Sequence, residues 1–115
     1  MLRKQKIAVV LLCQLLPLMF SAAALAGETP EYVLTIKNHQ FQPAEITVPA
    51  GVKVKLLVDN QDATPEEFES HELNREKVIP GNSQAKIFVG PLEPGVYPFF
   101  GEFHEATAQG KILVK

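Results

Sequence analysis

From Tyr32 onward the chain is a series of short alternating runs cut by proline and glycine, and this punctuation limits it to a small set of all-β folds. Val52-Lys53-Val54-Lys55-Leu56 alternates apolar and charged residues and runs on to Val58, the pattern of a strand with one buried face. Residues 32–37 alternate with Leu34 and Ile36 on one face, and residues 44–48 with Ile46 and Val48 on one face. Residues 67–70, 76–79, 85–89, 96–100 and 111–114 read as further short strands. Pro49-Ala50-Gly51, Pro80-Gly81-Asn82 and Pro91-Leu92-Glu93-Pro94-Gly95 read as the turns between them. One helical turn is expected around residues 69–76. Seven or eight strands in one small domain predict an all-β Greek-key β-sandwich, a pattern shared by immunoglobulin-like adhesive sandwiches.

The first 26 residues read as a signal peptide. Arg3, Lys4 and Lys6 precede an apolar run over residues 7–20, and Ala24-Leu25-Ala26 forms a small-x-small cleavage site. The expected domain is therefore residues 27–115, in the periplasm, with no membrane insertion after cleavage. Cys13, Met1 and Met19 all leave with the signal, so the mature chain would hold no disulfide, thiolate or thioether. Removing three of the eleven basic residues and none of the thirteen acidic ones takes the formal charge from −2 to −5. That balance argues against nucleic acid as a partner and suits cations.

Functional residues concentrate in two places. Glu66, Glu67, Glu69, Glu72 and Glu76 crowd around His71, and Glu102, His104 and Glu105 crowd the loop before the last strand. In an extended segment, Phe68 faces the core together with Glu66, while Glu67, Glu69 and His71 share the opposite face. The acidic run reads either as a solvated face or as part of a metal site. His39 lies in the turn before Phe41, with its role open; His71 reads as paired with Glu69 or Glu72, and Arg75 and Lys77 as surface partners of Glu72 and Glu76. No nucleophile elbow, His-Glu-x-x-His run or phosphate-cradling glycine loop is present.

The ordered set Phe41-x-Pro43, Ile46-x-Val48-x-x-Gly51, Asn60, Phe68, Pro80-Gly81, Pro94-Gly95-x-Tyr97, His104 and Gly110 resembles the cupredoxin pattern over the whole mature chain. The resemblance implies a cupredoxin sandwich whose metal end joins the segment after Asn60 to the loop after Phe100. In a blue-copper site a cysteine stands three residues before the loop histidine and a methionine a few residues after it. Here Gly101 holds the cysteine position, and Ala108 or Gln109 the methionine position. Glu-Phe-Glu-Ser and Phe-Phe-Gly-Glu-Phe-His are similar to small periplasmic cupredoxin-like proteins associated with ferrous-iron permeases.

That resemblance implies an Fe(II) or Cu(II) site drawn from His104, Glu67, Glu66, Glu102 and Glu69, and a membrane iron permease or another periplasmic uptake component as partner. Imidazole with carboxylate suits Fe(II), Cu(II), Mn(II) or Zn(II) and not Cu(I). Binding, oxidation of ferroxidase type and delivery of iron are the expected functions. A metal-free scaffold that docks to a partner, and copper electron transfer, are the competing readings.

Overall fold

The computed structural model describes residues 27–115; the signal-peptide reading of residues 1–26 lies outside the described residues. Strands β1 (Glu31–Lys37), β2 (Gln40–Gln42), β3 (Glu45–Val48), β4 (Val54–Asn60), β5 (Glu66–Ser70), β6 (Arg75–Ile79), β7 (Ser83–Val89), β8 (Gly95–Gly101) and β9 (Gln109–Val114) follow in chain order, with one 3-10 turn at Glu102–His104. They form a four-stranded sheet in the order β2-β1-β4-β7 and a five-stranded sheet in the order β3-β9-β8-β5-β6. The pairs β1–β4 and β3–β9 are parallel and the rest antiparallel. The expected all-β sandwich is what forms.

The alternating runs face as their period dictates. Leu34 and Ile36 of β1, Val54, Leu56 and Val58 of β4, and Ile112 and Val114 of β9 all turn inward and are buried. Phe41, Phe68 and Phe99 meet at the centre. Phe41 stands edge-on to Phe99 (centroids 4.9 Å apart, planes at 88°), and Phe68 stacks on Phe99 at 5.1 Å. This cluster lies under the end of the sandwich where β5, β8 and the 3-10 turn converge.

Two local features differ from expectation. The ninth strand is β2, whose three residues are too few to display alternation. Its register with β1 leaves Asn38-His39 as a two-residue turn, both at positive φ (55° and 58°), the primed geometry that matches strand twist. Residues 71–74 form a hairpin turn and no helix. Ser70 Oγ accepts the Leu73 N–H (3.1 Å) and donates to the Pro98 carbonyl (2.7 Å), which closes the β5–β6 connection against β8. The helical turn forms instead at Glu102–His104.

Asn60 fixes the loop that leads into β5. Fully buried, its Nδ2 donates to the carbonyls of Thr64 (2.9 Å) and Ile79 (3.1 Å), and its Oδ1 accepts the Asp62 N–H (3.0 Å). Every buried side-chain polar atom among the described residues has a partner.

The packing separates ring residues that look alike in sequence. Phe99 is 1 % exposed and Phe103 48 %. Phe99→Ala is expected to cost about 3–5 kcal/mol of folding stability, whereas Phe103→Ala is expected to stay within about 0.5 kcal/mol of the parent; urea unfolding midpoints measure both.

Candidate metal centre

The period of β5 divides the expected site in two. Glu66 points into the sandwich end and is 1 % exposed, whereas Glu67 and Glu69 project from the outer face of the five-stranded sheet. The expected separation of Glu66 from Glu67 and Glu69 is what the strand produces. The grouping of His104, Glu66, Glu67, Glu69 and Glu102 around a single ion is not. His104 and Glu66 meet at the tip, while Glu67, Glu69 and Glu102 meet outside, on either side of the β5 backbone.

At the tip, β8 ends at Gly101 and the chain tightens into the 3-10 turn, which swings Phe103 outward and His104 inward. Strict strand alternation would have kept His104 on the side of Phe100. The turn is closed by the Gly101 N–H to the Ala108 carbonyl and the Ala108 N–H to the His104 carbonyl, both 2.8 Å. His104 Nδ1 lies 2.6 Å from Glu66 Oε2, a charge-assisted hydrogen-bond distance. Glu66 Oε1 accepts the backbone N–H groups of Phe103 (2.8 Å) and Glu67 (2.9 Å).

His39, left open by the sequence, stacks on His104 with centroids 3.6 Å apart and planes at 12°. Asp62 holds the left-handed turn in place by accepting the N–H groups of Asn38 (2.8 Å) and His39 (2.9 Å), and lies 3.4 Å from His39 Nδ1. Burial opposes charge on Asp62. The two backbone hydrogen bonds and the imidazoles of His39 and His104 outweigh it and hold the carboxyl below its usual range. Asp62 carries no motif signal in the sequence; only the loop locked by Asn60 brings it under the β1–β2 turn.

On the outer face, Glu69 of β5 stands directly across from Glu76 of β6. Donor oxygens of Glu67, Glu69 and Glu76 all lie within 4.8 Å of one another. Glu102 reaches the same group from the 3-10 turn, within hydrogen-bonding reach of Glu67 and Glu69. Glu67 is only 9 % exposed, and the group within hydrogen-bonding reach of its carboxyl is another acid, Glu102. Burial first, then Glu102, then the charges of Glu76 and Glu69 push its carboxyl up to about 7. Glu69 is raised as well, mainly by Glu102, with His71 acting in the opposite direction.

The expected neutralising partners are elsewhere. Arg75 Nε donates to the Phe88 carbonyl (2.9 Å) on the neighbouring sheet. Neither Arg75 nor Lys77 forms an ion pair with Glu72 or Glu76; the pairs among the described residues are His39–Asp62, Lys55–Glu31, His104–Glu66 and Lys111–Glu45. Nor does His71 pair with Glu69 or Glu72; its ring lies 5.6 Å from that of Phe100. Like-charged carboxylates opposite one another across a strand pair destabilise the sheet. A cation, or a proton held on Glu67, relieves that repulsion. Glu76 belongs to this group, although its sequence position beside Arg75 and Lys77 suggested an ordinary surface pair.

The two groups are mechanically connected. Glu66 Oε1 anchors the amide of Phe103, which sets the 3-10 turn against β5, and Glu102 at the start of that turn thereby comes to lie beside Glu67 and Glu69. His104 and Glu66 are thus positioned to support the outer carboxylates, in the way that outer hydrogen bonds orient metal ligands.

Comparison with known proteins agrees with this architecture. The family model described as the cupredoxin-like domain matches residues 8–114. The chain is 48 % identical over 84 residues to "Uncharacterized protein RP394" of Rickettsia prowazekii, covering 73 % of this chain and 67 % of that one. It is 32 % identical over 83 residues to the iron uptake system component EfeO of Yersinia pseudotuberculosis, covering 68 % of this chain and 21 % of that protein, so that it spans about a fifth of that relative's length. Among solved structures, the blue copper protein auracyanin A of Chloroflexus aurantiacus superposes with a TM-score of 0.67 at 17 % identity, covering 76 % of this chain and 100 % of that one; at that identity the likeness concerns the fold. With two β-sheets and a family match over nearly its full length, the chain belongs to the cupredoxin-like domain family.

Proposed function

We propose that this protein carries a cation on the outer face of its five-stranded sheet, between Glu67, Glu69, Glu76 and Glu102, and that its cargo is ferrous iron on the way to a membrane iron permease or another periplasmic uptake component. The observation that carries the reading is Glu67: a residue 9 % exposed whose carboxyl faces those of Glu69, Glu76 and Glu102, with no cationic side chain among the described residues paired to it. An all-oxygen set suits hard and borderline ions such as Fe(II), Fe(III) and Mn(II), and is unsuited to Cu(I). Iron as the cargo is supported by the similarity to the iron uptake component EfeO. The periplasmic setting is supported by the signal-like N-terminus. An open surface cluster of carboxylates, with no enclosing cage, favours an ion that is picked up and released over one that is stored.

The competing reading, a metal-free docking scaffold, is favoured by the tip. There the Glu66–His104 pair is complete without an ion. Copper electron transfer does not fit, because residues 27–115 contain no sulfur and the tip offers no thiolate. Oxygen consumption on addition of Fe(II) separates oxidation from simple carriage.

Anaerobic calorimetric titration with Fe(II) and Mn(II) tests the reading. One ion per chain is expected, with binding abolished by Glu67→Gln. His104→Ala is expected to weaken binding about 10–100-fold, the usual effect of removing a group that orients a ligand. Binding indifferent to both substitutions removes the site and leaves the scaffold.

The pH dependence has a defined sign. Because the folded carboxyl of Glu67 titrates near 7 and its ordinary value is 4.5, the ion-free fold binds more protons than the unfolded chain between those values. Stability without metal is therefore expected to fall as pH rises from about 4.5 to about 7. Cation affinity is expected to rise through the same window as the competing proton leaves. Thermal unfolding with and without Mn(II) measures both trends, and Glu67→Gln is expected to flatten the first.

A further inference from the structure

The Glu66 carboxylate fills the space beside position 101, where the cupredoxin pattern would place the thiolate of a blue-copper site. A Cβ built on Gly101 would stand 2.6 Å from Glu66 Cδ, 2.8 Å from Glu66 Oε2 and 2.7 Å from Ala108 Cβ. Positions 101 and 104 are those from which a blue centre would draw its cysteine and histidine, with the methionine at 108 or 109, and the Glu66 carboxylate lies against the first two. Oε2 engages the histidine through Nδ1 at 2.6 Å, and Oε1 ties down the loop through the Phe103 amide while also accepting the amide of its β5 neighbour Glu67. Glutamate tips usually swing aside at little cost. This one is 1 % exposed and held by three hydrogen bonds, so the space at position 101 is closed.

We propose that Glu66 is a built-in substitute for the metal: it cross-links β5 to the closing loop as an ion would, and so determines that the tip excludes copper. Gly101 follows from this arrangement, since any side chain there would collide with the carboxylate. The inference stands whether or not the outer face carries the cargo, because it concerns the atoms on the opposite side of β5.

Four variants and the parent test it. In the parent, Cu(II) is expected to leave the NMR signals of the His104 Nδ1 side unaltered, and chelators are expected to leave thermal stability unchanged. Glu66→Ala is expected to bind Cu(II) at least about tenfold more tightly than the parent, with the gain abolished by adding His104→Ala. Gly101→Cys alone is expected to lower the unfolding temperature and to give no intense visible thiolate-to-copper band. Combined with Glu66→Ala, the same cysteine is expected to recover part of that loss and to produce the band with Cu(II). A parent that binds Cu(II) through His104 as tightly as Glu66→Ala overturns the proposal. So does Gly101→Cys folding at parental stability and turning blue by itself. If Glu66→Ala fails to fold, the parent and Gly101→Cys still decide: Cu(II) displacing the Glu66–His104 contact in the parent overturns the proposal by itself. Fe(II) titration of the parent reports separately on the outer carboxylates.

Discussion

The contact between the Glu66 carboxylate and the closing loop organises the end of the sandwich where β5 meets the 3-10 turn. One oxygen binds His104 Nδ1 and the other accepts two backbone amides, so a single side chain joins β5 to the 3-10 turn after β8. A buried carboxylate is tolerated only when its hydrogen-bonding capacity is filled, and removing one partner of such a pair typically costs about 3–5 kcal/mol. Here two of the three filling groups, the His104 imidazole and the Phe103 amide, are supplied by the loop that must be held. In a metal-containing relative of this fold an ion would provide that cross-link. In this chain a covalently attached acid provides it, and the loop is ordered without sulfur.

From that cross-link follows the electrostatic character of the opposite face. Pinning Phe103 sets Glu102 beside Glu67 and Glu69, and the β5–β6 register sets Glu76 across from Glu69. Four carboxylates are brought together by backbone geometry, with Arg75 drawn to the Phe88 carbonyl on the other sheet. The fold bears the repulsion because the cross-links that create it are buried and satisfied, while the acids themselves are at or near the surface. Crowded carboxylates of this kind hold a proton more readily than isolated ones, in keeping with the raised carboxyls of Glu67 and Glu69.

Much of this was legible in the sequence. Alternation over residues 54–58 and 32–37 identified strands and their buried faces, because side-chain direction in a strand depends on nothing beyond its period of two. The same rule placed Glu66 with Phe68, away from Glu67 and Glu69. The family resemblance placed His104 in the loop that meets the β5 segment at one end of the sandwich, where the structure has it. Less legible were the three-residue strand at Gln40–Gln42, too short for a pattern, and the loop after Gly101, where a tight turn replaces alternation and reverses the side taken by His104. The partners contributed by distant segments were invisible: Asp62 beneath His39, His39 stacked on His104, and Glu76 opposite Glu69.

Sequence by itself determined that residues 27–115 lack any sulfur ligand, that the domain is a small β-sandwich, and that successive glutamates of β5 face opposite ways. These are matters of composition and of short-range backbone geometry. Only the tertiary structure decided that the candidate ligands separate into a closed tip and an open carboxylate face. That outcome rests on strand register, on one 3-10 turn and on the space left by a glycine, which depend on segments far apart in the chain and leave no periodic trace within any one of them.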